Sequence, residues 1–189
     1  SIFGVEMMNV SAFNLQQANN AGVYWIRQPF FDWDQIEPVQ GEYHWEAVDE
    51  SVILQIQSQG FVPMAIIKFS PAWAQLYPGV KCGPIAQHAF PAFAEFLRQL
   101  VLRYSRAPYN IRYWELGNEP DIDPDLVPPD SMYGCWGNSN DRYYGGGYYA
   151  EMLKIAYPAI KAADPPAKVL IGGLLLDCDP NHPPAGMNC

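Results

Sequence analysis

The segment Trp114-Glu115-Leu116-Gly117-Asn118-Glu119-Pro120-Asp121 is an apolar run that ends on an amide, a carboxylate and a proline. A Glu at a strand end, among aromatic residues, can have its pKa raised by burial into the range of a general acid. Asn118 beside it offers two N–H donors and one acceptor, suited to a substrate hydroxyl. Pro120 stops the strand and sets the turn that follows. The competing reading is a solvated Glu at a capped strand end. Strand alternation places Glu115, Gly117 and Glu119 on one face, with about 13 Å of strand between the two carboxylates. That is too far for a catalytic pair, which needs about 5 to 5.5 Å in retaining and about 6.5 to 9.5 Å in inverting glycosidases. Glu115 is therefore expected to be an interior carboxylate, with Arg27 as its counter-ion, because a buried charge without a partner is costly.

Aromatic residues give a second signal. Trp33, Trp73, Tyr77, Tyr133, Trp136, Tyr143 and Tyr144 fall between the expected elements rather than on them. Flat rings bordered by Asp and Asn suit the C–H faces of pyranose sugars; the alternative is that the rings pin long loops in place. Asp32, Asp34, Glu37, Asp121, Asp123, Asp177 and Asp179 are the other carboxylates in these segments. Asp177 is the in-chain candidate for a second acid, although a turn-forming Asp ahead of Pro180 is the favoured reading. Gly145-Gly146-Gly147 lacks the Lys-Ser/Thr of a phosphate loop and reads as a hinge.

These residues need a scaffold, and the chain supplies one by alternation. Apolar runs predict strands over 3–8, 23–28, 61–67, 111–117 and 168–175. Helical periodicity predicts helices over 12–20, from Trp45 through Val48, Val52 and Ile56, from Phe93 through Tyr104 with Pro91 in the first turn, and from Tyr149 through Ile160 with a kink at Pro158. Continuous apolar strands fit a parallel sheet covered on both faces. Helix-to-strand links are short and strand-to-helix links are long, so the excess chain collects at the C-terminal strand ends. That is the active face of a (β/α)8 barrel. A doubly wound sheet would also bind ligands there, but no glycine-rich fingerprint follows the first strand. The expected fold is α/β, a TIM-barrel type with four βα units plus strand five. Residues 1–189 form one domain and the N-terminal part of a barrel that takes eight units and about 250 residues when complete. Open edges on strands one and five would invite further pairing. The remainder is expected from another polypeptide, from residues beyond Cys189, or from a second copy, the first two being favoured.

The 189 residues carry a net charge of −9 with no Lys/Arg cluster, which excludes phosphate-backbone binding to nucleic acid. No apolar run reaches the roughly 18 to 20 residues of a membrane helix. The start at Ser1, without Met, predicts a processed or excised piece. Cys82, Cys135, Cys178 and Cys189 form no CxxC, and His88 and His182 lack zinc-finger spacing. No metal or organic cofactor is indicated. Two loop disulfides, Cys82–Cys135 and Cys178–Cys189, would fit a secreted protein; four free thiols would fit a cytoplasmic one.

The motif at 114–120 resembles the strand-four signature of the clan of retaining (β/α)8-barrel glycoside hydrolases, which includes cellulase-like enzymes and the β-xylosidase/α-L-iduronidase family. Upstream, Ile26-Arg27, Asp32-Trp33, Ile36-Glu37-Pro38 and Gly41-Glu42-Tyr43-His44-Trp45 resemble the strand-two region of those enzymes, and Phe69-Ser70-Pro71-Ala72-Trp73-Ala74 their strand-three loop. The resemblance implies hydrolysis of O-glycosidic bonds by double displacement, with Glu119 as acid and then base, Asn118 on the hydroxyl next to the anomeric carbon, and Arg27 bracing the site. It also implies a nucleophile Glu on strand seven, which this sequence does not contain. Trp33, Trp73, Tyr133, Trp136 and Tyr144 are the expected substrate-binding rings. The alternatives are a non-catalytic carbohydrate-binding or degenerate half-barrel relative, or an inverting or lyase-like enzyme with Asp177 as partner.

Overall fold

The structure, a computed structural model, describes residues 2–175. Its strands and helices alternate: β1 Gly4–Glu6, α1 Ala12–Asn20, β2 Trp25–Asp32, α2 Trp33–Ile36, α3 Glu50–Ser58, β3 Val62–Lys68, α4 Phe90–Tyr104, β4 Tyr113–Leu116, α5 Gly146–Ala163 and β5 Lys168–Ile171. All five strands are parallel, and their order in space is their order in the chain. A doubly wound sheet reverses order at its switch point, whereas a barrel does not. The sheet is thus a partial (β/α)8 barrel. Among the described residues, β1 and β5 each pair on one side only.

The core follows from sequence periodicity. On α4 the residues Phe93, Phe96, Leu97, Leu100, Val101 and Tyr104, spaced by three and four, are all buried against the sheet and α5. Trp114 and Leu116 of β4 point outward into this helix-facing layer, so Glu115 between them points to the barrel interior. A smaller cluster, including Leu15, Ile26, Ile56 and Phe61, lies under α1 and α3. No described helix is long and apolar enough to cross a membrane.

Several boundaries differ from expectation. Strand β2 was expected to stop at Gln28, yet it runs to Asp32. The register slips at Arg27/Gln28, where both residues align with Met64. Such a bulge is one of the few places where a strand accepts a proline, here Pro29. The periodic stretch from Trp45 to Ile56 is not one helix: Trp45–Ala47 forms a 3₁₀ turn, and α3 starts after Asp49, whose carboxylate accepts from Ser51 N at 3.1 Å. The expected glycine hinge is helix instead, since Gly145 caps α5 with φ 81° and Gly146 and Gly147 open its first turn. Helix α5 holds Pro158 in its interior, as expected, and continues to Ala163. Strand β5 is shorter than expected, ending at Ile171.

Candidate active site

The long connections at 33–49, 69–89 and 117–145 all leave the C-terminal ends of β2, β3 and β4. The last of these begins with an abrupt change of conformation. Gly117 has φ 83° and Glu119 has φ 48°, so regular alternation ends at Leu116, and the expected face shared by Glu115 and Glu119 is not maintained. Gly117 N still donates to Ile67 O at 2.8 Å, which holds the turn against β3. A positive φ at a non-glycine residue is strained by about 1 to 3 kcal/mol and is tolerated where its surroundings over-determine it. One of those surroundings is Gly172 after β5. A Cβ there would meet Pro120 Cδ at 2.9 Å and Gly117 O at 3.1 Å, so only glycine lets the two strand ends approach.

Below the turn sits the expected ion pair. Arg27 grips Glu115 with two bonds, Nε to Oε2 at 2.9 Å and Nη2 to Oε1 at 2.7 Å. The same Nη2 donates to Asn118 Oδ1 at 2.8 Å, and Nη1 lies against the Glu6 carboxylate. The planar fork is what lets one cation hold three elements at once. It also revises the expected role of Asn118. Its acceptor oxygen is committed to Arg27, and its Nδ2 donates to Met132 O at 3.3 Å. What Asn118 has left to offer a ligand is donor capacity on Nδ2 and the second lone pair of Oδ1.

Three carboxylates at this end, Asp32, Asp34 and Glu119, each hold a buried oxygen without a hydrogen-bond partner among the described residues, and Glu119 differs from the other two in having no lysine paired with it there. It is partly buried, and its Oε2 is shielded from solvent with no hydrogen-bond partner among the described residues. Burial pushes its carboxyl above the ordinary range; the Arg27 charge opposes this, while Asp121 and Glu6 reinforce it. Arg27 is already shared between Glu6 and Glu115, so its pull on Glu119 is diluted. A strand-end carboxyl held toward its protonated form can donate a proton. By contrast, Asp34 pairs with Lys81 at 3.5 Å, and Glu37 is buried, accepting from Trp33 Nε1 at 2.6 Å and Gly41 N at 2.8 Å. Asp32 is also held up by burial, but Lys68 at 3.6 Å and Lys81 pull it back. Asp123 accepts from Asp125 N and Ser139 N, which ties its own loop down. Asp177, Cys178 and Cys189 lie outside the described residues. Glu6 is the member of this cluster that the sequence reading missed; a Glu closing the first strand, level with Arg27 in register, was the available signal.

The expected aromatic set divides. Trp33 is a correction: it is 0% exposed, stacked on Phe96 and tilted against Phe93, so it offers no face to a sugar. Helix α2 begins directly at the end of β2 and turns this ring into the core. Trp73 is half-buried, packs edge-on to Trp33 and donates from Nε1 to Glu37 O at 3.1 Å, on the β2 side. Tyr133 is 45% exposed and joins Asn118 in lining a small, partly open cavity of about 50 Å³. That cavity is sized for water rather than a sugar ring, and Glu119 is not in its wall. Trp136 lines the same cavity and packs edge-on to Tyr149. Tyr144 is half-buried, its phenol pushed up by burial and then by Asp123 and Asp121, so it shares Asp121 as a neighbour with Glu119. Cys82 and Cys135 form a disulfide that joins the loop after β3 to the loop after β4.

No family model and no curated protein matches this chain. Its fold does match solved structures. A family 39 glycoside hydrolase from Bacteroides cellulosilyticus superposes with a TM-score of 0.63 at 18% identity, over 90% of this chain and 31% of that one. An endo-glycoceramidase II from a Rhodococcus species, described as a lactosyl-enzyme intermediate, gives 0.60 at 16% identity, over 87% and 44%. An exo-β-1,4-mannosidase from an Opitutaceae bacterium gives 0.59 at 18% identity, over 85% and 27%. The chain spans less than half the length of each of these proteins, and what it shares with them is the fold of a glycosidase barrel.

Proposed function

We propose that this chain carries the acid/base side of a retaining glycoside hydrolase, with Glu119 protonating the departing glycosidic oxygen and then activating water. The observation that carries the reading is the state of Glu119: a partly buried carboxyl with one oxygen that has no hydrogen-bond partner among the described residues, at the C-terminal end of a parallel strand, next to the Arg27–Asn118 brace. In this reading Asn118 Nδ2 donates to a substrate hydroxyl, while Arg27 holds the amide and Glu115 in place without touching the sugar. Tyr133, Trp136 and Tyr144 flank the substrate, and Trp73 borders it from the β2 side. A carboxylate nucleophile on the opposite face comes from polypeptide outside these residues, which also closes the open edges of β1 and β5. The Cys82–Cys135 disulfide supports an exported protein.

The test uses the protein with its barrel complete. Glu119→Gln should lower kcat on substrates with poor leaving groups by about 10²- to 10⁴-fold. Aryl glycosides whose phenol is acidic enough to leave unprotonated should form the glycosyl-enzyme at nearly the normal rate, and added azide should restore turnover in Glu119→Ala. Equal loss on both substrate classes, or full activity in Glu119→Gln, would refute the assignment.

A further inference from the structure

Beyond Glu119, the loops after β3 and β4 and the start of α5 border an open groove of about 510 Å³ that shares Trp136 with the proposed acid site. This lies within the roughly 300 to 1,000 Å³ typical of ligand sites. Tyr77, 44% exposed, stands on the β3-loop wall. Trp136 and Tyr148, with ring centroids 6.1 Å apart, form the other apolar surface. Asn138, Asp141 and Glu151 supply the polar lining; neither Glu119 nor Asn118 takes part.

We propose that this groove is a second binding site, for a neutral oligosaccharide. The chemistry of the lining selects that class. Aromatic faces accept sugar C–H surfaces, while amide and carboxylate groups accept or donate to hydroxyls. Asn138 Oδ1 is used by Asn140 N at 2.9 Å, which leaves its amide N–H groups as donors. The charged residues of the lining are Asp141 and Glu151; Lys154 pairs with Glu151 from just outside it, which leaves Asp141 as the unopposed charge among the described lining residues and disfavours phosphorylated, sulfated or uronate ligands.

The groove is also preorganised, which lowers the ordering cost of binding. The Cys82–Cys135 bond joins its two walls, and Cys135 N donates to Cys82 O at 3.0 Å beside it. The β3-loop wall is closed by a Gln75/Ile85 bridge and by Leu76 N to Pro84 O at 2.8 Å. The opposite wall is tied down by Trp136 N to Pro120 O at 3.0 Å and Gly137 N to Ile122 O at 2.8 Å. At Gly145 a Cβ would fall 2.0 Å from Trp136 O, so glycine is what lets the head of α5 close against this wall. Tyr148 is fixed by its hydroxyl, which donates to Ile85 O at 2.8 Å.

The experiment titrates the protein with its barrel complete, in the Glu119→Gln form so that the sugars are not turned over, with cellohexaose, xylohexaose, mannohexaose and, as the charged control, hexagalacturonate, followed by calorimetry and tryptophan fluorescence. At least one neutral hexasaccharide should bind. Tyr77→Ala should weaken it about tenfold, Tyr77→Phe should retain it, and the Tyr77-dependent binding should persist in Asn118→Ala. Because Tyr77 is an exposed side chain, loss of folding does not confound the variant. Binding of no neutral hexasaccharide would overturn the proposal, and so would hexagalacturonate binding as tightly as the neutral sugars. Binding that ignores Tyr77→Ala but disappears with Asn118→Ala would place the sugar at the acid site. That would overturn this proposal while supporting the hydrolase reading.

Discussion

Replacing Arg27 with Met should be among the most damaging single changes in this chain. The side chain would keep its apolar stem but lose three hydrogen bonds, at 2.9, 2.7 and 2.8 Å, and its contact with Glu6. The main cost falls on Glu115, whose side chain is 5% exposed and would be left, among the described residues, with Gly173 N at 3.3 Å as a donor. Breaking one half of such a pair costs about 3 to 5 kcal/mol, because an uncompensated charge remains buried. Against a typical total of about 5 to 15 kcal/mol, that approaches loss of the native state. The double variant Arg27→Met/Glu115→Leu removes both charges and should regain most of the stability, since an apolar pair of similar volume is often neutral or better. Urea denaturation of the parent, both single variants and the double variant gives the coupling directly, provided the m-value stays constant. A loss below about 1 kcal/mol in Arg27→Met, or a double variant no more stable than that single one, would refute the account of this ion pair.

Two further outcomes follow from the same structure. Glu119 has a folded-state pKa raised above its ordinary value, so its contribution to stability is fully present below the unfolded-state pKa and is lost as pH rises through the folded one. Glu119→Gln, which imitates the neutral acid, should therefore be more stable than the parent at neutral pH and equal to it at low pH; denaturation midpoints across pH 3 to 8 would show this, and a gap that widened on acidification would contradict it. Removing the Cys82–Cys135 crosslink, with its sequence separation of 53, should cost about 4 kcal/mol through the entropy of the unfolded chain. The Cys82→Ala/Cys135→Ala variant measured in urea tests this, and a change under about 1 kcal/mol would show the loops to be held by their hydrogen bonds alone.

The helical spacing of α4 and the apolar runs of the strands were legible because periodicity records which face is covered, whatever covers it. The Arg27–Glu115 pair could be anticipated for a related reason: a carboxylate alternating with buried Trp114 and Leu116 must face the interior and needs a cation there. The course of β2 past Pro29 was not legible, because a bulge depends on how β3 lies beside it. Trp33 misled for the same kind of reason. Its neighbours Trp73, Phe93 and Phe96 are distant in sequence, so nothing local distinguishes a rim tryptophan from a core one.

The amino-acid order dictated the alternation of strand and helix and brought Asn118 and Glu119 to a strand end, since local propensity and burial pattern suffice for both. The three-dimensional arrangement decided what those residues can do. Asn118 gives its oxygen to Arg27, and Glu119, at φ 48°, carries an oxygen with no hydrogen-bond partner among the described residues, in a field set by Arg27, Glu6 and Asp121. Electrostatics acts through space, and Arg27 lies 91 residues from Asn118 along the chain.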